Sequence, residues 1–143
     1  MLVAAILAHK GREVFTVDPY AAVGTATELL NRHGVGALVV SADGVTVSGM
    51  VSERDIVRCL AEVGHRVLTT PVASVMTDDV VTCTPADTTE QLMEIVTTRR
   101  IRHVPVLEEG RLAGLVSIGD IVAARVRELE DETHLLRDYI TAG

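Results

Sequence analysis

The chain is an internal duplication, and this restricts its fold more than any other feature. Sliding the sequence by 66 residues lays Val14-Phe15-Thr16-Val17-Asp18-Pro19 on Val80-Val81-Thr82-Cys83-Thr84-Pro85, Glu28 on Glu94, Val40 on Val106 and Gly44 on Gly110. Beyond Gly44 the first copy carries one extra residue. A slide of 65 then sets Gly49 on Gly114, Ser52 on Ser117 and Asp55-Ile56-Val57 on Asp120-Ile121-Val122. The insertion falls at a glycine-containing turn, where added length is tolerated. At 143 residues the chain is one compact domain or two small intimately packed ones.

Each copy reads strand, helix, strand, strand, helix. Extended runs at 14–17 and 80–83 are stopped by Pro19 and Pro85. Ala26, Leu29 and Leu30, and then Leu92, Ile95 and Val96, recur at helical spacing. Thr88 and Gln91 form a capping-box pattern, and Gly34 marks a helix stop. Residues 37–40 pair with 45–51 through Asp43-Gly44, and 104–107 with 112–116 through Glu109-Gly110. The linker at 65–79 contains Pro71 and a short helical candidate at 72–76. The last helix outruns its counterpart, which ends near Gly64, and continues to about Ile140. Along it Val122, Val126, Leu129, Thr133, Leu136 and Ile140 form a heptad-like seam with a charged outer face. That seam needs a partner, either the apolar segment at 2–7 or another subunit.

Composition excludes several classes. Hydrophobic residues make up 48% of the chain but aromatics only 2%, so the core is aliphatic and stacking platforms for single-stranded nucleic acid are lacking. A net charge of −7 argues against a nucleic-acid partner, which needs a basic footprint. No stretch is long and apolar enough to span a bilayer, and the N-terminus has no signal-peptide pattern, so a cytoplasmic location without membrane association is expected. Cys59 and Cys83 form no CxxC and fall at inequivalent places, so ordinary thiols are expected rather than a disulfide or zinc site. His9, His33, His65 and His134 lack metal-ligand spacing. No nucleophile–base constellation or phosphate-gripping glycine loop points to an enzyme, and no catalytic residue or catalytic cofactor is expected.

The chemistry lies in the duplicated motif, Gly49-Met50-Val51-Ser52-Glu53-Arg54-Asp55 and Gly114-Leu115-Val116-Ser117-Ile118-Gly119-Asp120. Each copy ends a strand and opens a helix, where unpaired N–H groups and the positive end of the dipole suit a phosphate or ribose. Ser-x-x-Asp is equally a capping-box pattern, so each Ser and Asp has a structural reading beside the binding one. Arg54 places a cation against the helix dipole at a cost of about 0.3–1 kcal/mol, which a phosphate partner or a neighbouring carboxylate would offset. Arg99, Arg100, Arg102 and His103 make a basic knot in an acidic chain.

The duplicated motif, together with Arg102-His103-Val104-Pro105-Val106 and Ser74-Val75-Met76-Thr77, resembles a tandem pair of CBS domains, the regulatory module named after cystathionine β-synthase. The resemblance covers about 14–126 and implies an α/β (α+β) fold: two pseudo-twofold-related β-α-β-β-α repeats with a C-terminal helical extension. On that reading 1–70 form repeat 1 with an N-terminal helix, and 71–143 form repeat 2 with its extension.

The resemblance further implies two clefts that take adenosine-containing ligands, with AMP, ADP or ATP first and AMP foremost. S-adenosylmethionine, NAD(H), or a structural or redox-responsive interaction protein with degenerate clefts are the alternatives. In the nucleotide reading Asp55 and Asp120 accept the ribose hydroxyls, and Ser52, Ser117 and Arg54 hold phosphate or ribose oxygens. Arg102 and His103 face the phosphates, Val104 and Pro105 line the adenine, and Thr16, Thr82 and Thr84 stand at the mouth. Ala37 replaces His103 in the first copy, so the clefts are expected to be inequivalent, with the one at Ser117 and Asp120 the tighter. The resemblance implies a stand-alone, non-catalytic sensor, homodimeric and signalling to an unidentified regulated protein, as in energy sensing.

Overall fold

Each repeat builds its own small sheet and core, and each borrows the segment that precedes the other repeat. The computed structural model describes residues 1–142. Its elements run α1 (Val3–Lys10), β1 (Thr16–Val17), α2 (Val23–His33), β2 (Ala37–Val40), β3 (Gly49–Ser52), α3 (Glu53–Val63), α4 (Thr89–Arg99), β4 (His103–Glu108), β5 (Arg111–Ser117) and α5 (Ile118–Ala142). Short 3-10 turns at Gly64–Thr69 and Val72–Ser74 lie between α3 and α4. The first sheet has the order β1-β2-β3, with β1 parallel to β2 and β3 antiparallel to it; the second is the antiparallel pair β4-β5. The fold is the mixed α/β pair of repeats with a C-terminal helix that the resemblance implied.

The second repeat has no counterpart of β1, contrary to the extended run expected at 80–83. Only Cys83 joins the sheet, in a parallel bridge to Val106. The reason is Pro105. At the equivalent place the N–H of Val39 donates to the Phe15 carbonyl at 3.2 Å. Proline has no N–H to give, so the ladder stops at one bridge. The strand expected over 45–51 is also shorter and begins at Gly49. Ahead of it the Asp43 carboxylate accepts the amides of Val45 at 2.8 Å and Thr46 at 2.7 Å, and so folds the loop on itself. Those bonds hold the Asp43 carboxyl down at about 2. At the other hairpin Glu109 (φ 52) and Gly110 (φ 77) both adopt the left-handed backbone of a tight turn.

In the first core, Val17, Leu38, Val40 and Val51 of the sheet meet Val23, Ala26 and Leu30 of α2, Ile56 of α3, and Val67 and Val72 of the connection. In the second, Val104, Val106 and Val116 meet Leu92 and Val96 of α4, Ile121 and Ala124 of α5, and Val3, Ile6 and Leu7 of α1. The N-terminal helix, assigned from sequence to repeat 1, therefore sits in the core of repeat 2. Burial of Val3, Ile6 and Leu7, each at most 1% exposed, holds it there at about 1.5–3 kcal/mol per side chain.

This exchange is reciprocal. The amide of Thr89 donates to Met1 O and that of Val23 to Thr70 O, both at 2.9 Å. The amide of Val3 donates to Asp87 O and that of Val72 to Ala21 O, both at 2.8 Å. A Cβ built on Gly114 would lie 2.6 Å from Leu7, and one built on Gly49 would lie 2.6 Å from Met76. The glycine that opens each copy of the motif is thus the space into which the other repeat's leading segment packs.

α5 runs unbroken for 25 residues. It buries Ile121 and Ala124 against α1 and the second sheet. The heptad-like seam faces elsewhere: Val122, Val126, Leu129, Leu136 and Ile140 are all exposed, so α1 is not its partner. Cys59 and Cys83 are unpaired, and burial pushes the Cys83 thiol up to about 12.

Candidate cleft at the start of α3

Both copies of Ser-x-x-Asp fold as helix starts, and both close a reciprocal cap. In the first, the Asp55 carboxylate accepts from the Ser52 amide at 2.9 Å, and Ser52 Oγ accepts from the Asp55 amide at 3.3 Å. In the second, Asp120 accepts from the Ser117 amide at 2.8 Å, and Ser117 Oγ accepts from the Asp120 amide at 3.1 Å. The structural reading of the motif holds in both, at about 1 kcal/mol per cap. Strand pairing sets Ala37 opposite Ser52 and His103 opposite Ser117.

The clefts then diverge. A cavity of about 310 Å³ opens at the start of α3. Its walls include Ala37, Ser52, Arg54 and Asp55 from the first repeat and Arg102 and His103 from the second, six of the residues singled out in the sequence. Asp55 uses Oδ2 for its cap, and its Oδ1 makes only a 3.6 Å ion pair with Arg58 among the described residues. Arg54, Arg100 and Arg102 line the same cavity and form no ion pair among the described residues. Four arginines, a helix N-terminus and a carboxylate whose second oxygen meets only Arg58 line one space. Together they suit a ligand carrying both hydroxyls and negative charge.

The other candidates lie outside this cavity. Thr16 is in β1 opposite Val39, and Val104 and Pro105 are buried in β4. Thr82 and Thr84 are exposed, with the Thr84 amide bonded to the Asp87 carboxylate at 2.8 Å. Ser117 and Asp120 stand at the start of α5, where Asp120 Oδ2 accepts from Lys10 Nζ at 2.6 Å. The cavity thus lies at Ser52 and Asp55, and Ser117 and Asp120 stand outside it.

Sequence reasoning missed Arg58, Thr77 and Asp79 as lining residues and gave Arg100 a place in the basic knot but no role in the cleft. Arg58 was detectable, since it sits one turn beyond Arg54 on the same helix face. Arg100 was not: it enters because the residue ending α4 adopts a left-handed backbone (φ 53).

His103 stands between the two clefts. Burial lowers its pKa below 6.5, reinforced by the charges of Lys10 and Arg102 against the opposing pull of Asp120 and Glu53, so it is neutral at pH 7. For Asp120, burial pushes the carboxyl up, but the hydrogen bonds from Lys10 and Ser117 outweigh it and the net shift is downward. Among the described residues no cluster of His, Cys, Asp and Glu is arranged to hold a metal ion, and no helix is long and apolar enough to cross a membrane.

Relatives share this architecture. The mitochondrial CBS domain-containing protein CBSX3 of Arabidopsis thaliana is 37% identical over 122 residues, covering 82% of this chain, which spans 59% of that protein's length. The crystal structure of the CBS-domain containing protein ATU1752 from Agrobacterium tumefaciens superposes with a TM-score of 0.84 at 49% identity, covering 87% of this chain and 99% of that one. The CBS domain pair of protein MJ0100, solved in complex with 5-methylthioadenosine and S-adenosyl-L-methionine, has a TM-score of 0.78 over 90% of this chain and 98% of its own, and at 22% identity shows the fold alone. The CBS domain matches residues 7–62 and again 72–127, one match on each repeat, and the chain belongs to the CBS domain family as a tandem pair.

Proposed function

We propose that this CBS pair is a regulatory sensor that takes an adenine nucleotide into the cleft at Ser52 and Asp55. The observation that carries this reading is the convergence of Arg54, Arg58, Arg100 and Arg102 on a cavity that also holds a half-used carboxylate. Asp55 receives the ribose hydroxyls, and the α3 N-terminus with the arginines receives the phosphate. MJ0100, the neighbour solved with adenosine derivatives, supports the ligand class. The arginines favour AMP, ADP or ATP over S-adenosylmethionine, whose sulfonium they would repel. The volume of about 310 Å³ is at the small end for a ligand pocket and favours a mononucleotide, AMP first, over NAD(H).

The chain has no catalytic role in this reading. Filling the cleft shifts how the repeats pack, and a regulated protein in the cytoplasm reads that shift. The sensor works as a homodimer, and the uncovered seam of α5 is the added contact surface. Light scattering at micromolar concentration tests this, with a monomer counting against it.

The primary test is a thermal-shift panel with AMP, ADP, ATP, S-adenosylmethionine and NADH. A ligand at 100 times its dissociation constant raises the midpoint by about 5–10 °C for a domain of this size. The expected result is a shift of that size with AMP or its di- and triphosphate, lost in Asp55→Ala. A flat panel on protein carrying no co-purified nucleotide overturns the reading in favour of an interaction protein.

A further inference from the structure

Lys10 is the chain's single lysine; its other permanently charged side-chain cations are arginines. Its ammonium donates to Asp120 Oδ2 at 2.6 Å and to the Leu115 carbonyl at 2.8 Å. Both acceptors belong to the second copy of the duplicated motif, and the first copy shows what stands there without a lysine. The counterpart of Leu115 is Met50, whose carbonyl accepts the backbone amide of Thr77 at 2.8 Å. The counterpart of Asp120 is Asp55, which no lysine touches and which faces the open cavity.

The cause is a difference in length. Leu7 and Met76 occupy equivalent places against Gly114 and Gly49. Val14 and Val80 are equivalent as well, yet six residues separate Leu7 from Val14 and only three separate Met76 from Val80. The three additional residues extend α1 by nearly a full turn, and Lys10 is carried on that turn. Where the shorter segment offers a main-chain N–H to the strand, the longer one offers an ammonium that reaches on to the aspartate.

We propose that Lys10 is a latch: it occupies the carboxylate of the second cleft and holds that cleft shut, so the protein has one open nucleotide site at Asp55 and one latent site at Asp120. The latent site is of the same chemical class, a helix start with Ser117 and Asp120 ready for an adenosine phosphate. The ammonium shares Oδ2 with the Ser117 amide and stands, with its positive charge, on the side from which a ribose hydroxyl would reach that oxygen. Lysine suits the role because it reaches Asp120 as a point charge on a flexible stem. The chain can release it by withdrawing one side chain, with α1 still anchored through Val3, Ile6 and Leu7. Acylation of that one amine would also open the latch, since it removes the charge.

The ligand-binding half of this proposal rests on the nucleotide reading above, and the experiment separates the two. AMP is titrated by calorimetry into wild type, Asp55→Ala, and Asp55→Ala combined with Lys10→Ala. The expected stoichiometry is one AMP per chain, none, and one. Saturation of wild type with two AMP, binding by Asp55→Ala alone, or a silent double variant that remains folded by circular dichroism overturns the latch. No binding by wild type overturns the nucleotide reading, and the latent nucleotide site with it. The Lys10–Asp120 contact is then read without ligand. Limited acetylation followed by mass spectrometry scores Lys10 directly, and Asp120→Asn is expected to speed its modification by about two- to five-fold, the range of a partly exposed ion pair. An unchanged rate overturns the latch whatever the nucleotide result.

Discussion

The two copies of Ser-x-x-Asp make the same cap with the same atoms, yet one faces an open cavity and the other a lysine. The motif alone does not decide which copy is a site. What decides is the segment that arrives from the opposite repeat. A short segment meets Gly49 and bonds its backbone to Met50, which leaves Asp55 facing space. A longer one meets Gly114 and sends Lys10 onto Asp120. A three-residue difference outside the motif gives the same Ser-x-x-Asp cap two different surroundings.

The largest expected effect tests that inequality directly. Asp55→Ala abolishes AMP binding in the calorimetric range, a loss of at least about 100-fold, because one carboxylate accepts from both ribose hydroxyls. Asp120→Ala, in the latched protein, changes it less than about twofold. Equal losses from the two substitutions, measured by calorimetry, break the comparison.

Next come the glycines. A Cβ at Gly49 would lie 2.8 Å from the Thr77 carbonyl oxygen, part of the backbone, whereas at Gly114 its near neighbours are the methyls of the Leu7 side chain. Gly49→Ala is therefore expected to destabilise by about 1–3 kcal/mol and Gly114→Ala by less, because a side chain yields more cheaply than a main chain. Urea denaturation gives the order, and the reverse order contradicts the packing described.

A smaller effect is expected at Pro105. Pro105→Val supplies the N–H that Val39 uses in the first repeat. It should slow amide exchange around Cys83 while changing stability by about 1 kcal/mol or less. No change in exchange would mean that something other than the missing donor keeps 80–83 out of the sheet.

The smallest effect concerns pH. The His103 pKa lies below 6.5, so the side chain is neutral at pH 7. A phosphate beside it draws the pKa back up, so binding takes up a proton and affinity rises as the pH falls toward the lowered value of the free protein, by roughly two- to five-fold. His103→Gln should flatten that slope. Fold stability moves the other way: a lowered histidine pKa contributes stability that is present above 6.5 and lost as the pH falls through the folded value. The titration is therefore read at pH values where the free protein remains folded.

Much was legible in the sequence because it was written twice. The Thr88–Gln91 cap, the Gly34 stop and both Ser-x-x-Asp helix starts follow from local chemistry at fixed spacing, and all are present. Six residues chosen from the sequence share one cavity, since the motif and the basic knot are short contiguous stretches. The missing second-repeat strand was legible in principle, because a proline cannot donate. The partner of α1 was not, because an apolar run such as 2–7 fits either core equally well by composition.

Sequence by itself therefore determined that there are two helix starts with the same Ser-x-x-Asp cap. That they are unequal was also legible, from Ala37 standing where the second copy has His103; only the tertiary structure decided which one lines the cavity and which one meets Lys10. The decision lies in contacts between residues far apart in the chain, Leu7 with Gly114 and Lys10 with Asp120. No periodicity encodes such contacts. They exist because each repeat fills its core with the segment that leads into the other, and because one of those segments is nearly a helical turn longer.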